Sequence, residues 1–237
     1  MKIRFMKQLI CITAAVVFLC AAAAASADVL FTQTKDNYSG YYSSIARQQV
    51  ADDFSLASGG SIEKVTWWGF YASTDLVYAP TPPTDNFTLR FYSDNSGLPG
   101  SIVGSYSIGS SASRTDTGEN TIVNNKEIYK YVYDMSATPF AAAAGTTYWI
   151  SILGVNNSIP GYPDNWAWQD NDRDDTHLVA SRFYESGTWL TSSGNRAFVL
   201  EGTANSGPPT LPEPATMLLL ISGLVGLAGF RKRFIKK

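Results

Sequence analysis

Phe87-Thr88-Leu89-Arg90-Phe91-Tyr92 puts an apolar side chain at every second position and a polar group between. Period two is the spacing of side chains along one face of a β-strand, whereas a helix would repeat every three to four residues. The same beat recurs where Tyr148, Ile150 and Ile152 alternate with Trp149, Ser151 and Leu153, and where Phe198 and Leu200 alternate with Val199 and Glu201. Further strands are predicted over 50–56, 62–72, 102–108, 128–134, 166–169 and 178–184. Turn residues punctuate them at 58–60, 94–100, 144–146 and 192–195, supplying positive-φ glycines and side-chain-bonded Asn and Asp. Between 28 and 202 only the short stretch 139–144 reads as helix, and no repeat is present. Eight to ten strands without helical crossovers must pair antiparallel. The expected fold is therefore all-β, an antiparallel jelly-roll or Greek-key β-sandwich, flanked by a signal-peptide helix and a C-terminal transmembrane helix.

Composition narrows the function classes. The 237 residues are 45% hydrophobic and 16% charged, with 13 Tyr, 12 Phe and 6 Trp, which excludes low-complexity disorder. A formal net charge of -2 gives no basic field for nucleic acid, so no nucleic-acid partner is expected. That total conceals segregation: three basic residues lie in the first seven positions and five in the last seven, while acids outnumber bases 19 to 10 between Asp28 and Leu211. A single histidine, His177, excludes multi-histidine zinc or iron sites.

Lys2, Arg4 and Lys7 precede an apolar run from Leu9 to Ala25 that closes on the small-residue site Ala25-Ser26-Ala27. Residues 1–27 read as a secretory signal peptide; the competing reading is an uncleaved anchor. Leu19 before Cys20 spoils a lipid-attachment site. Both cysteines, Cys11 and Cys20, fall in this leader, so the exported domain, 28–202, has no disulfide to staple it. It must hold by burial, and about 180 residues are enough to hide roughly 70% of the unfolded surface.

After Gly202 a Pro/Gly/Ser linker, 203–211, leads to Pro212-Glu213-Pro214, an uncharged run over 215–230, and the basic tail 231–237. The sixteen-residue run reaches about 24 Å as a helix, short of a bilayer core by an amount that snorkelling basic side chains cover. Basic residues after the run belong in the cytoplasm, which places the acidic domain outside.

Residues 212–237, with Pro212, Glu213 and Pro214, the Leu/Gly-rich segment and the Arg/Lys tail, closely resemble the PEP-CTERM sorting signal of Gram-negative bacteria. Leu211 stands where such tails often carry Val. The resemblance implies an exosortase as partner, a membrane tether before processing, and delivery to the envelope or the extracellular polysaccharide matrix. A plain anchor that is never cut is the alternative. Ala51-Asp52-Asp53-Phe54, Val65-Thr66-Trp67-Trp68-Gly69, Phe87 to Tyr92, Gly97-Leu98-Pro99-Gly100 and Thr147 to Ser151 further resemble a β-sandwich ectodomain of exosortase-sorted surface proteins, which brings no assigned activity.

Three groups are candidate sites. All six Trp lie in the domain; one of Trp67 and Trp68 should face the core and the other outward, while Trp166 and Trp168 share a face. Trp166, Trp168 and Trp68, if exposed, offer flat plates for sugar rings, so a carbohydrate-binding module for matrix glycan is the second functional reading; burial in the core is the competing one. Asp170, Asp172 and Asp174 alternate as calcium-ligating carboxylates do, but Asp175 stands where an EF-hand turn needs Gly, and Arg173 adds a cation. A solvated acidic loop is the simpler reading, so no cofactor is expected, with Ca²⁺ the one ion the loop suggests. No nucleophile elbow, phosphate loop or dinucleotide fingerprint is present. The chain is expected to be non-enzymatic, with no catalytic residue to name; a two-carboxylate glycoside hydrolase is the least favoured alternative.

Overall fold

A computed structural model describes residues 27–44, 48–71, 84–155, 166–171, 179–192 and 194–205. The signal peptide and the whole of 206–237, including the expected helices, lie outside the described residues. Within them the fold is all-β, in two antiparallel sheets.

The first sheet is organised on β4 (Gly60–Tyr71), twelve residues long. One edge of β4 pairs along its length first with β14 (Phe198–Ala204) and then with β11 (Trp166–Asn171), two strands that lie end to end. Its other edge takes β9 (Phe140–Ala142) and then β8 (Glu127–Asp134). Outside β8 runs β7 (Ser113–Asn120). Outside β14 and β11 run β1 (Asp28–Gln33) and β2 (Lys35–Tyr42), successive in the chain and together one long kinked border.

The second sheet has the order β13-β12-β3-β10-β5-β6. Its strands are β13 (Leu190–Ser192), β12 (Val179–Phe183), β3 (Gln48–Ser55), β10 (Thr147–Gly154), β5 (Phe87–Asp94) and β6 (Pro99–Gly109).

Alternation sends Phe54, Phe87, Leu89, Phe91, Ile150 and Ile152 from one sheet against Val65, Trp67, Trp168, Phe198 and Leu200 from the other, all buried in one core. Ring-to-ring contacts fill it: Phe91 stacks on Phe140 at 4.1 Å and Trp67 on Tyr131 at 5.5 Å. Each such pair contributes about 0.5–1.5 kcal/mol beyond its buried area.

A smaller apolar cluster sits on the far face of the second sheet. Ala51 and Ala180 pair in register, and their small side chains leave room beside Tyr92 and Trp149 for Trp189. The Arg182 guanidinium, 4.4 Å over Trp189, closes it. Strands β3, β10 and β12 are thus covered on both sides.

Every strand read from alternation is present, and five more join them. β1, β2, β7, β9 and β13 escape the pattern because they are border strands or three-residue pieces whose polar faces meet water. The stretch 139–144 is not a helix: Phe140 and Ala142 point inward from β9, which pairs with the start of β4. The turns form as their residues dictate, with Gly59, Gly97, Gly145 and Gly194 all at positive φ.

Candidate functional site

The tryptophans fall where strand parity puts them, but on the side that hides them. Trp67 is fully buried, while Trp68 is half-buried on the outer face, opposite Lys130. Trp166 and Trp168 do share a face, and it is the inner one. They pair opposite Tyr71 and Gly69, and Gly69 is the residue that admits the ring, since a Cβ there would stand 2.4 Å from Cζ2 of Trp166. Trp168 donates its indole N–H to the Ala197 carbonyl at 2.9 Å, and its relative exposure is 0%. A plate for a sugar must be open on one face, so Trp166 and Trp168 are corrected from binding surface to core.

β11 is buried on its other side as well. Residues 122 and 123, in the turn between β7 and β8, donate backbone N–H groups to Asn37 and Tyr38 of β2, and Asn37 and Lys35 hold Glu119. This closes a collar of β8, β4, β11, β2 and the turn around Phe70, Ile128 and Ala167, all buried. Gln169 lies within it with neither amide atom hydrogen-bonded.

The three candidate metal aspartates do not come together in what is described. Asp172, Asp174 and His177 lie outside the described residues. Asp170 ends the buried part of β11, and its carboxylate accepts from the Arg196 guanidinium. Among the described residues no group of three or more His, Cys, Asp or Glu is placed to hold a metal ion.

Asp170 belongs instead to a polar cluster between the two sheets. Arg196, just before β14, is fully buried with its guanidinium 4.4 Å over the Tyr41 ring. Its backbone N–H donates to Asp52 of β3, which also accepts from the Asp53 N–H. Gln33, with its amide nitrogen turned inward, donates to Asp52 at 2.9 Å and to the Arg196 carbonyl at 2.6 Å. The cluster ties β1, β2, β11 and the start of β14 to β3 in the opposite sheet. Burial pushes the Asp52 carboxyl well above the usual carboxylate range, against the pull of the Arg196 N–H and charge. Burial likewise draws the Arg196 guanidinium down to about 10, opposed by the Asp52 charge.

A second polar group closes one end of the core. Tyr71 donates to Asp85 at 2.6 Å, and Arg114 pairs with the same carboxylate at 2.9 Å while lying 5.0 Å over the Tyr129 ring. Burial raises the Tyr71 and Tyr131 hydroxyls, so both stay protonated. The indole N–H of Trp67 is buried without a hydrogen-bond partner, in a ring cluster it shares with Tyr131 and Phe87. Their rings touch, Phe87 lying 5.0 Å from both Tyr131 and Trp166, so the space between them is filled.

Asp52, Asp85 and Asp170 are each held by donors of the chain itself. The arrangement fastens strands to one another. Sequence reading passed over Asp52 and Arg196, though Asp52 occupies the inward beat between Val50 and Phe54, and an inward acid needs a buried partner.

Residues 210–233 match the PEP-CTERM protein-sorting motif, the tail of an exported, exosortase-sorted protein. No curated protein and no solved structure matches the chain. Residues 29–213, which run from β1 through the linker, match a family model described as a domain of unknown function (DUF7901), and the chain belongs to that family.

Proposed function

We propose that this chain is a non-catalytic display protein: its sandwich is exported, tethered briefly by the carboxy-terminal segment, released by exosortase and incorporated into the envelope or the extracellular polysaccharide matrix. The observation that carries this reading is the sorting motif over 210–233, set behind a Pro/Gly/Ser-rich stretch on a cysteine-free domain. Two features support it. Asp28 pairs with Gly202, so the domain's first and last strands reach the same end of one sheet, and both chain ends leave together, as suits a domain carried on a stalk. The buried carboxylates are spent on strand-to-strand ties, which favours a structural role over hydrolysis.

The carbohydrate-binding alternative loses Trp166 and Trp168 to the core and keeps only Trp68, a single half-buried ring beside a lysine, so it is the weaker reading. Mass spectrometry of material released by the producing cell tests the proposal. A new C-terminus near Pro212 is expected; recovery of only full-length chain from the inner membrane would refute processing.

A further inference from the structure

β6 is the outermost strand of the second sheet and pairs on one side only, with β5. Eleven residues long, it turns a row of backbone N–H and C=O groups outward, the template on which another strand adds. The other borders are guarded. β13 has three residues, β7 carries Arg114, Asp116 and Glu119, β1 opens with Asp28, and β2 is capped on its outer edge by residues 122 and 123. β6 has neither a charge nor a covering segment, and its guards, Pro99 and the bulges, stand at its ends. No Asp, Glu, Lys or Arg occurs from Asn95 to Ser113, and Ile102 and Val103 are exposed. Bulges interrupt its pairing with β5 at both ends, yet Gly104 to Ser107 run straight against Phe91 to Thr88.

We infer that β6 is a self-association edge: two copies of this chain pair antiparallel through Gly104 to Ser107, joining their second sheets into one continuous sheet. Charge selects the occupant. Acids exceed bases by nine across 28–211, so two copies repel through most approaches, and this uncharged strip is where they meet without like charges opposed. A two-fold axis normal to the sheet sets one residue of this stretch opposite its own copy, so residues of like parity face each other and each strand satisfies its partner's outward groups in the same register. The inference is independent of whether the tail is cut.

The cysteine-free domain makes the test clean. Ser105→Cys and Ser107→Cys, both at exposed positions, are introduced separately into the full chain and exported by the producing cell. Cells are then treated with a short bifunctional thiol crosslinker. Thr115→Cys on β7, also exposed, is the control for random collision, and the chain with no added cysteine sets the background. A band at twice the chain's mass is expected several-fold stronger for the β6 cysteines than for Thr115→Cys, and it should be lost when Ser107→Lys accompanies Ser105→Cys. Equal crosslinking at β6 and β7, no dimer from either β6 cysteine, or a dimer that survives Ser107→Lys would overturn the inference.

Discussion

Replacing Trp168 by Ala separates a core residue from a binding residue more sharply than any other single change. The indole has a relative exposure of 0%, lies against Phe198 with centroids 5.9 Å apart, and gives its only N–H to the Ala197 carbonyl. Truncating a buried Trp costs about 3–5 kcal/mol. The stranded Ala197 carbonyl adds about 1–3 kcal/mol if water does not reach it. A loss of at least about 4 kcal/mol consumes much of the roughly 5–15 kcal/mol by which a domain is stable. At about 2–4 °C per kcal/mol for a domain this size, the melting temperature should fall by about 8–16 °C.

Thermal unfolding followed by near-ultraviolet circular dichroism reads this directly, with Trp68→Ala as the comparison. Trp68 is half-buried on the outer face, so its truncation should cost much less. Trp168→Phe keeps most of the bulk but removes the N–H, and should fall between wild type and Trp168→Ala. Were Trp168→Ala to melt within about 1 kcal/mol of wild type, or Trp68→Ala to melt lower than it, the inward assignment of β11 would be wrong.

Three further outcomes follow from the structure. Because burial raises the native-state carboxyl of Asp52, the folded chain holds that proton more tightly than the unfolded one, and stability falls as pH rises from the unfolded value near 3.8 through the raised native one. Asp52→Asn should therefore gain on wild type as pH increases across that window in melting curves taken from pH 4 to 8, and parallel curves would contradict it. Gly202→Ala should destabilise at the top of or beyond the about 1–3 kcal/mol range of overpacking, because its Cβ would meet the Ser61 carbonyl at 2.0 Å and backbone has no way to yield; Gly145→Ala, at positive φ in open space, should cost only about 1–2 kcal/mol in denaturant titration.

How far the sequence reveals this fold depends on how many faces of a strand are covered. β5 and β14 sit where one face is drier than the other, and Phe87-Leu89-Phe91 and Phe198-Leu200 announce their inward side plainly. β11 does not. Trp166 and Trp168 share a face, as parity requires, yet Ala167 and Gln169 are equally buried, because the collar from β7 and β8 to β2 covers the side that alternation would give to water. No local pattern records a cover supplied by residues 122 and 123, some forty-five positions away in the chain. β2 and β7 carry Lys35, Asp36, Asp116 and Glu119 and look like loops, since their strand character comes from neighbours to pair with rather than from a face to bury.

The missing cysteines connect the core to the polar clusters. A two-sheet sandwich without a disulfide keeps its layers in register only through contacts that span them, and aromatic stacking, though strong, tolerates sliding. Asp52 does not. It takes N–H groups from Arg196 and Gln33 across the interlayer space, and Arg196 in turn grips Asp170 and lies on Tyr41, so any slip of one sheet over the other strands a buried charge. Breaking such a cluster by removing one partner costs about 3–5 kcal/mol, even where replacing it whole with apolar groups is nearly neutral. Its contribution is therefore to specify one alignment of the sheets rather than to deepen the fold. That alignment also fixes where the uncharged Gly104 to Ser107 stretch of β6 stands at the border of its sheet, and a border held in one place is what a repeated contact between copies requires.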